Sequence, residues 1–152
     1  MKKILLLFLL IFTYSCATKD IKYDRNKILT KYTPKYTVLV DMEKTNLETL
    51  FLDKNNIEKV EIDKKNRELR ITQRKQVEFY ELKNLKLDSL SLNNDISLVV
   101  IDGVPIKKNL IEKVKIDTNA IKNVTILTKE VLNNSILCKR HDGDILIITT
   151  KY

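Results

Sequence analysis

Two runs of four consecutive aliphatic residues, at positions 98–101 and 145–148, constrain the fold of this 152-residue chain most strongly. A strand with one wet face alternates apolar and polar residues, whereas a continuous run of Val, Ile and Leu is typical of a strand covered on both faces. We therefore expect both runs to be buried, and to be neighbouring interior strands of one compact sheet.

Turn residues directly follow the first run and precede the second. The chain has only two glycines and two prolines. Asp102 and Gly103 form a strong hairpin signal, because a tight turn needs positive φ, which glycine adopts without steric cost. Pro105 cannot donate to a strand ladder, so the returning strand must lie at a sheet edge. Gly143, in the loop 142–144, is assigned to a turn before the second run. We predict structural turn roles for all four residues.

The remaining pattern predicts more strands and few helices. Short runs rich in Val, Ile and Leu begin at Tyr36, and residues 57–72 read as a hairpin around a polar turn. Thr128 is a candidate N-cap for a short helix over 128–137, between strands at 121–127 and 145–150. Such a strand–helix–strand unit predicts a right-handed crossover between parallel strands. The expected fold class is α+β, a small mixed sheet with one or two short helices packed on it.

A weak internal two-fold repeat divides the predicted domain, residues 36–152. Residues 38–41 (VLVD) match 99–102 (VVID), and residues 56–62 match 120–126. The domain is thus expected to contain a degenerate first half, a connector and a second half. They comprise residues 36–75, 76–95 and 96–152.

Two details of this division stay open. In the connector, Val77 and Phe79 indicate a strand, while residues 85–92 fit an edge strand or a turn of helix. Asp41 and Asp102 occupy equivalent places in the halves and could be paired carboxylates for acid–base work. The turn interpretation explains both more simply, since Asp is favoured where a strand reverses.

The N-terminus has the pattern of an export signal. Lys2 and Lys3 precede an apolar run at residues 4–12, which is too short to span a bilayer. The run is followed by Thr-Tyr-Ser-Cys, which resembles the lipobox of bacterial lipoproteins and implies that Cys16 is acylated. The alternative is an ordinary secretory signal in which Cys16 is incidental. We predict a signal peptide over 1–15 and a polar tether over 16–35 that lets the domain stand off a membrane.

The net charge and its distribution indicate which classes of partner to expect. Removing residues 1–15 takes away Lys2 and Lys3, which lowers the formal charge from +8 to +6 (8 minus 2). The lysines are scattered among acidic residues and asparagines, so we expect no nucleic-acid partner; anionic head groups or a simply solvated surface remain. With Cys16 acylated, Cys138 is the only thiol and forms no intramolecular disulfide.

The second half resembles a known family. The order VVIDGVPI, AIKNVTILTKE, helix and DGDILIITTK over residues 96–152 resembles the plug domain of TonB-dependent outer-membrane receptors. The family's glycine-rich loop corresponds here to a segment that keeps Arg140 and Gly143 but has Cys138 and His141. The chain stops at the last strand, where a receptor continues into its barrel, so the resemblance implies the fold and an envelope location and leaves a transport role unsupported.

The sequence offers few candidate catalytic or metal-binding residues. Cys138, His141 and Asp142 share one short loop, whereas catalytic triads are assembled from separate rigid elements. A metal site would lack a second ligand pair. We therefore expect no enzyme activity and no catalytic, cofactor-binding or metal-binding residues.

The resulting expectation is a lipid-anchored, non-enzymatic binding or interaction module at the outer membrane with a protein partner in the envelope. Two alternatives are an envelope enzyme that uses Cys138 and His141, and a structural subunit of a larger envelope complex.

Overall fold

A computed structural model describes residues 18–82, 96–134 and 142–151. In these ranges the chain is α+β, with many strands and few short helices. Several sequence predictions fall outside the described residues: those on the signal peptide, Cys16, residues 83–95, Cys138 and His141.

The described chain forms two compact units. The N-terminal unit comprises residues 18–47 and 57–74, and the C-terminal unit comprises residues 48–56 and 75–151. The expectation of one small sheet is therefore wrong, because each unit contains its own sheet and the C-terminal unit contains a second one.

The strands are numbered in chain order. They are β1 (Thr18–Asp20), β2 (Thr37–Val40), β3 (Glu43–Lys44), β4 (Leu50–Phe51), β5 (Ile57–Asp63), β6 (Glu68–Gln73), β7 (Phe79–Glu81), β8 (Ile96–Ile101), β9 (Val104–Ile106), β10 (Lys115–Asp117), β11 (Ile121–Leu127) and β12 (Asp144–Thr150). The helices are α1 (Arg25–Lys27), α2 (Lys108–Ile111) and α3 (Lys129–Asn134), and α1 continues as a π-helical turn, Ile28–Tyr32.

The N-terminal unit contains a five-stranded mixed sheet in the order β1-β5-β6-β2-β3. β5 and β6 are antiparallel, with Asp63 opposite Glu68, which confirms the predicted hairpin. β2 lies parallel to β6, and Thr37 is opposite Glu68. The buried side chains of this unit include Val38, Val40, Val60, Ile62, Leu69 and Ile71.

The expected tether over 16–35 is wrong for most of its length. β1 pairs antiparallel with β5, and Thr18 is opposite Asp63. The Asp24 carboxylate accepts a hydrogen bond from the Lys27 N–H and caps α1, and Ile28 has no exposed surface. A segment with a polar composition thus orders because backbone pairing and one buried aliphatic side chain fix it to the unit.

The C-terminal unit contains a four-stranded sheet in the order β11-β12-β8-β9 and a three-stranded sheet in the order β4-β10-β7. β8 and β12 are parallel, with Val100 opposite Ile147, so the two aliphatic runs are neighbouring interior strands, as predicted. β11 and β12 are antiparallel. The predicted right-handed crossover is therefore wrong, because the parallel neighbour of β12 is β8.

The aliphatic runs are not covered equally on both faces. Val99, Ile101, Leu146 and Ile148 are each about 1% exposed, whereas Val100 and Ile147 are only half-buried. The hydrophobic core of this unit consists of Phe51, Leu82, Val99, Ile101, Val114, Ile116, Leu146 and Ile148.

The predicted helix at 128–137 is observed over α3. Thr128 accepts a hydrogen bond from the Val131 N–H at 3.4 Å, which agrees with its predicted capping role. Leu132 is buried, while Val131 is 59% exposed. None of the helices in the described ranges has the length and apolar character needed to cross a bilayer.

Candidate functional site

The turn after β8 uses its carboxylate to hold the sheet together. Asp102 and Gly103 have φ values of 51° and 79°, as a tight hairpin turn requires. The Asp102 N–H donates to the Ile148 carbonyl at 2.9 Å. Its Oδ1 accepts from the Thr150 N–H and its Oδ2 from the Thr150 hydroxyl, both at 2.7 Å. Both carboxylate oxygens of Asp102 therefore accept hydrogen bonds from β12.

Asp41 has the same arrangement in the N-terminal unit. Asp41 and Met42 have φ values of 48° and 71°. The Asp41 N–H donates to the Ile71 carbonyl at 2.9 Å, and Oδ1 accepts from the Gln73 N–H at 2.8 Å. Each of these two aspartates binds the strand beside its own turn, which favours the turn interpretation over a carboxylate pair.

The other predicted turn residues lie at the ends of strands. Pro105 is in β9, the outer strand next to β8, so its missing N–H leaves no gap in an interior ladder. Gly143 is buried in the bend before β12, and its carbonyl accepts a hydrogen bond from the Ser97 hydroxyl at 3.1 Å. Its φ is not positive, so this turn does not depend on glycine for left-handed backbone.

The described ranges contain no group of three His, Cys, Asp or Glu residues that could hold a metal ion. Asp142 is exposed in the bend before β12. The structure thus brings no catalytic cluster together around it, within the part of the chain that it describes.

A basic concavity is the candidate binding site. It has a volume of about 430 Å³, lies in the N-terminal unit, and is lined by Pro34, Lys35, Tyr36, Lys64 and Arg67. Three of its five lining residues are cations and none is an acid. The concavity is thus suited to an anion.

The backbone around the concavity is held in place by hydrogen bonds. The Thr37 N–H donates to the Arg67 carbonyl at 2.9 Å, which fixes the segment before β2 against the β5–β6 turn. The Asn66 N–H donates to Asp63 Oδ1 at 3.0 Å and so closes that turn. Arg67 itself has a φ of 54°.

The two acids beside the concavity share one arginine as their ion-pair partner. Arg70 Nη2 lies 3.0 Å from Asp63 Oδ2 and 2.6 Å from Glu68 Oε2. The Asn66 N–H, the Asn66 side chain and the charge of Arg70 together lower the pKa of Asp63 below its usual value. Asp63 and Glu68 therefore both pair with Arg70, and among the described residues neither forms an ion pair with Lys64 or Arg67.

Sequence reasoning missed the concavity. Its signal was the polar turn of the predicted hairpin, Lys64-Lys65-Asn66-Arg67, together with Lys35 just before β2. Only the parallel pairing of β2 with β6 brings residues 34–36 beside that turn.

No protein-family model, curated protein or solved structure matches this chain.

Proposed function

We propose that the protein is a lipid-anchored, non-enzymatic interaction module of the bacterial outer membrane, built from two copies of one strand motif of which the second is plug-like. The signal-like pattern at its N-terminus is the observation that supports this proposal most directly. Lys2 and Lys3, a nine-residue apolar run at 4–12 and then Cys16 form a lipoprotein-like signal.

The duplication is supported by the matching topology of the two sheets. β5-β6-β2-β3 and β11-β12-β8-β9 have the same order, each with an antiparallel, a parallel and an antiparallel pair. Short 3₁₀ turns, Lys54–Asn56 and Thr118–Ala120, precede β5 and β11.

Local details agree as well. Asp53 accepts a hydrogen bond from the Asn55 N–H, and Asp117 accepts one from the Asn119 N–H. β5 and β11 each have a register irregularity just after their first residue. The strand-reversing aspartates, Asp41 and Asp102, complete the correspondence.

The duplication also suggests where a partner binds. In the N-terminal unit, β1 covers residues 61–63 of β5 as an added antiparallel strand. In the described ranges, the corresponding strand β11 pairs only with β12. An exposed strand edge is a template for another strand, so the partner is proposed to pair along residues 121–127.

The anchor is tested by growing cells with a radioactive fatty acid. The wild-type chain is expected to be labelled, Cys16→Ser to be unlabelled, and Cys138→Ser, the matched control, to be labelled like the wild type. Equal labelling of all three chains would remove the anchor.

The partner surface is tested by photo-crosslinking in intact cells. A photoreactive residue at Thr125, exposed in β11, is expected to give one discrete adduct. The same residue at Thr72, exposed in the interior strand β6, is the control and is expected to give none. The proposal fails if Thr125 gives no adduct or if both positions give the same one.

A further inference from the structure

The N-terminal strand leaves the sheet beside the basic concavity. Thr18 is opposite Asp63, the last residue of β5, and therefore lies next to the turn 64–67. Cys16 lies two residues earlier. Two residues span at most about 7 Å, so an acyl chain on Cys16 would hold this end of the sheet close to the bilayer.

The same end of the sheet carries uncompensated positive charge. Lys35, Lys64, Lys65 and Arg67 are all exposed, and among the residues that the structure describes none of them forms an ion pair. The neighbouring acids are already bound to Arg70. This end of the unit therefore presents a net cationic surface.

The concavity at its centre has the composition of a phosphate site. Lys35 and Lys64 supply ammonium groups and Arg67 a guanidinium with several donors, which suits phosphate oxygens. Tyr36 is half-buried, with its ring centroid 6.3 Å from that of Tyr32. Tyrosine is enriched at the headgroup level of membranes, where one end of the ring is apolar and the other wet.

We propose that this end of the N-terminal unit lies flat on the membrane surface, with the phosphate of an anionic phospholipid in the concavity of Lys35, Lys64 and Arg67. The proposal rests on the acyl anchor of the proposed function. Each basic side chain near an anionic leaflet contributes about a five-fold gain in binding. The anchor then limits how far the unit can move from the bilayer, and the cations set its orientation.

The test uses the full chain purified from membranes and reconstituted into vesicles. One set contains phosphatidylglycerol and phosphatidylcholine, and the other only phosphatidylcholine. Trypsin cleavage after Lys65, in the proposed surface, is compared with cleavage after Lys44, which lies in the edge strand β3 opposite Leu39 and does not line the concavity. We expect cleavage after Lys65 to be about ten-fold slower in the anionic vesicles and to recover at high salt. Cleavage after Lys44 should be equal in both.

Two charge-matched variants isolate the surface. Lys64→Glu with Arg67→Glu is expected to abolish the slowing after Lys65, whereas Lys44→Glu with Arg74→Glu, the control, should retain it. Because Arg67 has a φ of 54°, a third variant, Lys64→Gln with Arg67→Asn, reduces the charge with a residue that tolerates this backbone. At about five-fold for each cation, losing two should lower binding about 25-fold and therefore also remove most of the slowing.

The outcomes separate this proposal from the anchor. The intact mass of the same sample reports acylation of Cys16. If cleavage after Lys65 is slowed in a chain that is not acylated, the membrane surface is supported and the anchor is excluded. If the chain is acylated and this cleavage is not slowed, the anchor is supported and the membrane surface is excluded. Equal slowing after Lys44 and Lys65 would overturn the surface, as would equal slowing by inorganic phosphate without vesicles.

Discussion

Asp102 binds Thr150 through both of its carboxylate oxygens, at 2.7 Å to the backbone N–H and 2.7 Å to the hydroxyl. A turn that follows β8 is thereby fastened to the end of β12, its parallel neighbour. Asp41 and Gln73 form the equivalent backbone contact between the turn after β2 and the end of β6. Both aspartates thus connect a turn to the end of the strand that lies parallel to the one before it.

Replacing Asp102 by alanine should destabilise the C-terminal unit by about 1–3 kcal/mol, because it leaves the buried N–H of Thr150 without its acceptor. Thr150→Val removes only the hydroxyl contact and should cost less. Urea unfolding of the three chains measures both effects. If Asp102→Ala were as stable as the wild type, these bonds would have no structural role.

Val99→Ala should cost about 2 kcal/mol, because Val99 is 1% exposed and the substitution removes buried methyl groups and leaves a cavity. The control is Val104→Ala, the same substitution at a side chain that is 61% exposed. We expect it to change the free energy of unfolding little. Equal losses for the two variants would contradict the observed burial of β8.

Ile28→Ala should cost about 2–5 kcal/mol, because Ile28 is fully buried in a segment that composition alone would make a tether. Lys31→Ala, on an exposed residue in the same helical turn, is the control. Thermal unfolding of the two variants distinguishes them. A tether would give no loss at either position.

Gly103→Ala should destabilise the chain by about 1 kcal/mol. Nothing lies within 4 Å of the added methyl group, so the cost comes from its φ of 79° alone. Met42, with a φ of 71°, occupies the equivalent position. Met42→Gly relieves the same strain and should be neutral or stabilising. Chemical denaturation checks both signs, and a gain from Gly103→Ala would refute the explanation.

Asp63 should make stability fall in acid. Its pKa is below the usual value of 3.8, mainly because of the Asn66 N–H. The unfolded chain therefore binds a proton more readily, so the contribution of Asp63 is complete above about pH 4 and is lost as pH falls through the lower folded pKa. Unfolding measured from about pH 6 to pH 2 should show a shallower decline for Asp63→Asn. The same acid slope in both chains would exclude this role.

Local sequence features allowed part of this fold to be predicted. Asp102-Gly103 specifies a hairpin by itself, and the aliphatic runs at 98–101 and 145–148 predict adjacent interior strands. The unequal burial of their two faces was not predictable, because a run without polar residues has no period that distinguishes its faces. Long-range pairing decided the rest, such as the addition of β1 to β5 and the antiparallel direction of β11 and β12.

The basic concavity illustrates the same difficulty at the level of a site. Its cations come from residues 34–36 and 64–67, and the four strands β2 to β5 lie between these two segments in the sequence. Each group alone is an ordinary solvated lysine cluster. Their convergence depends on the register that places Thr37 opposite Glu68.

The short strand β4 is synthesised long before β10, the strand it pairs with. Leu50 pairs with Lys115, and Leu50, Phe51 and Leu52 are 5%, 2% and 0% exposed in the finished fold. Until residue 115 has emerged, β4 has no pairing strand, and the core around Phe51 is complete only when Leu146 and Ile148 have been added. A nascent chain that stops within that interval would leave this apolar segment exposed to aggregation.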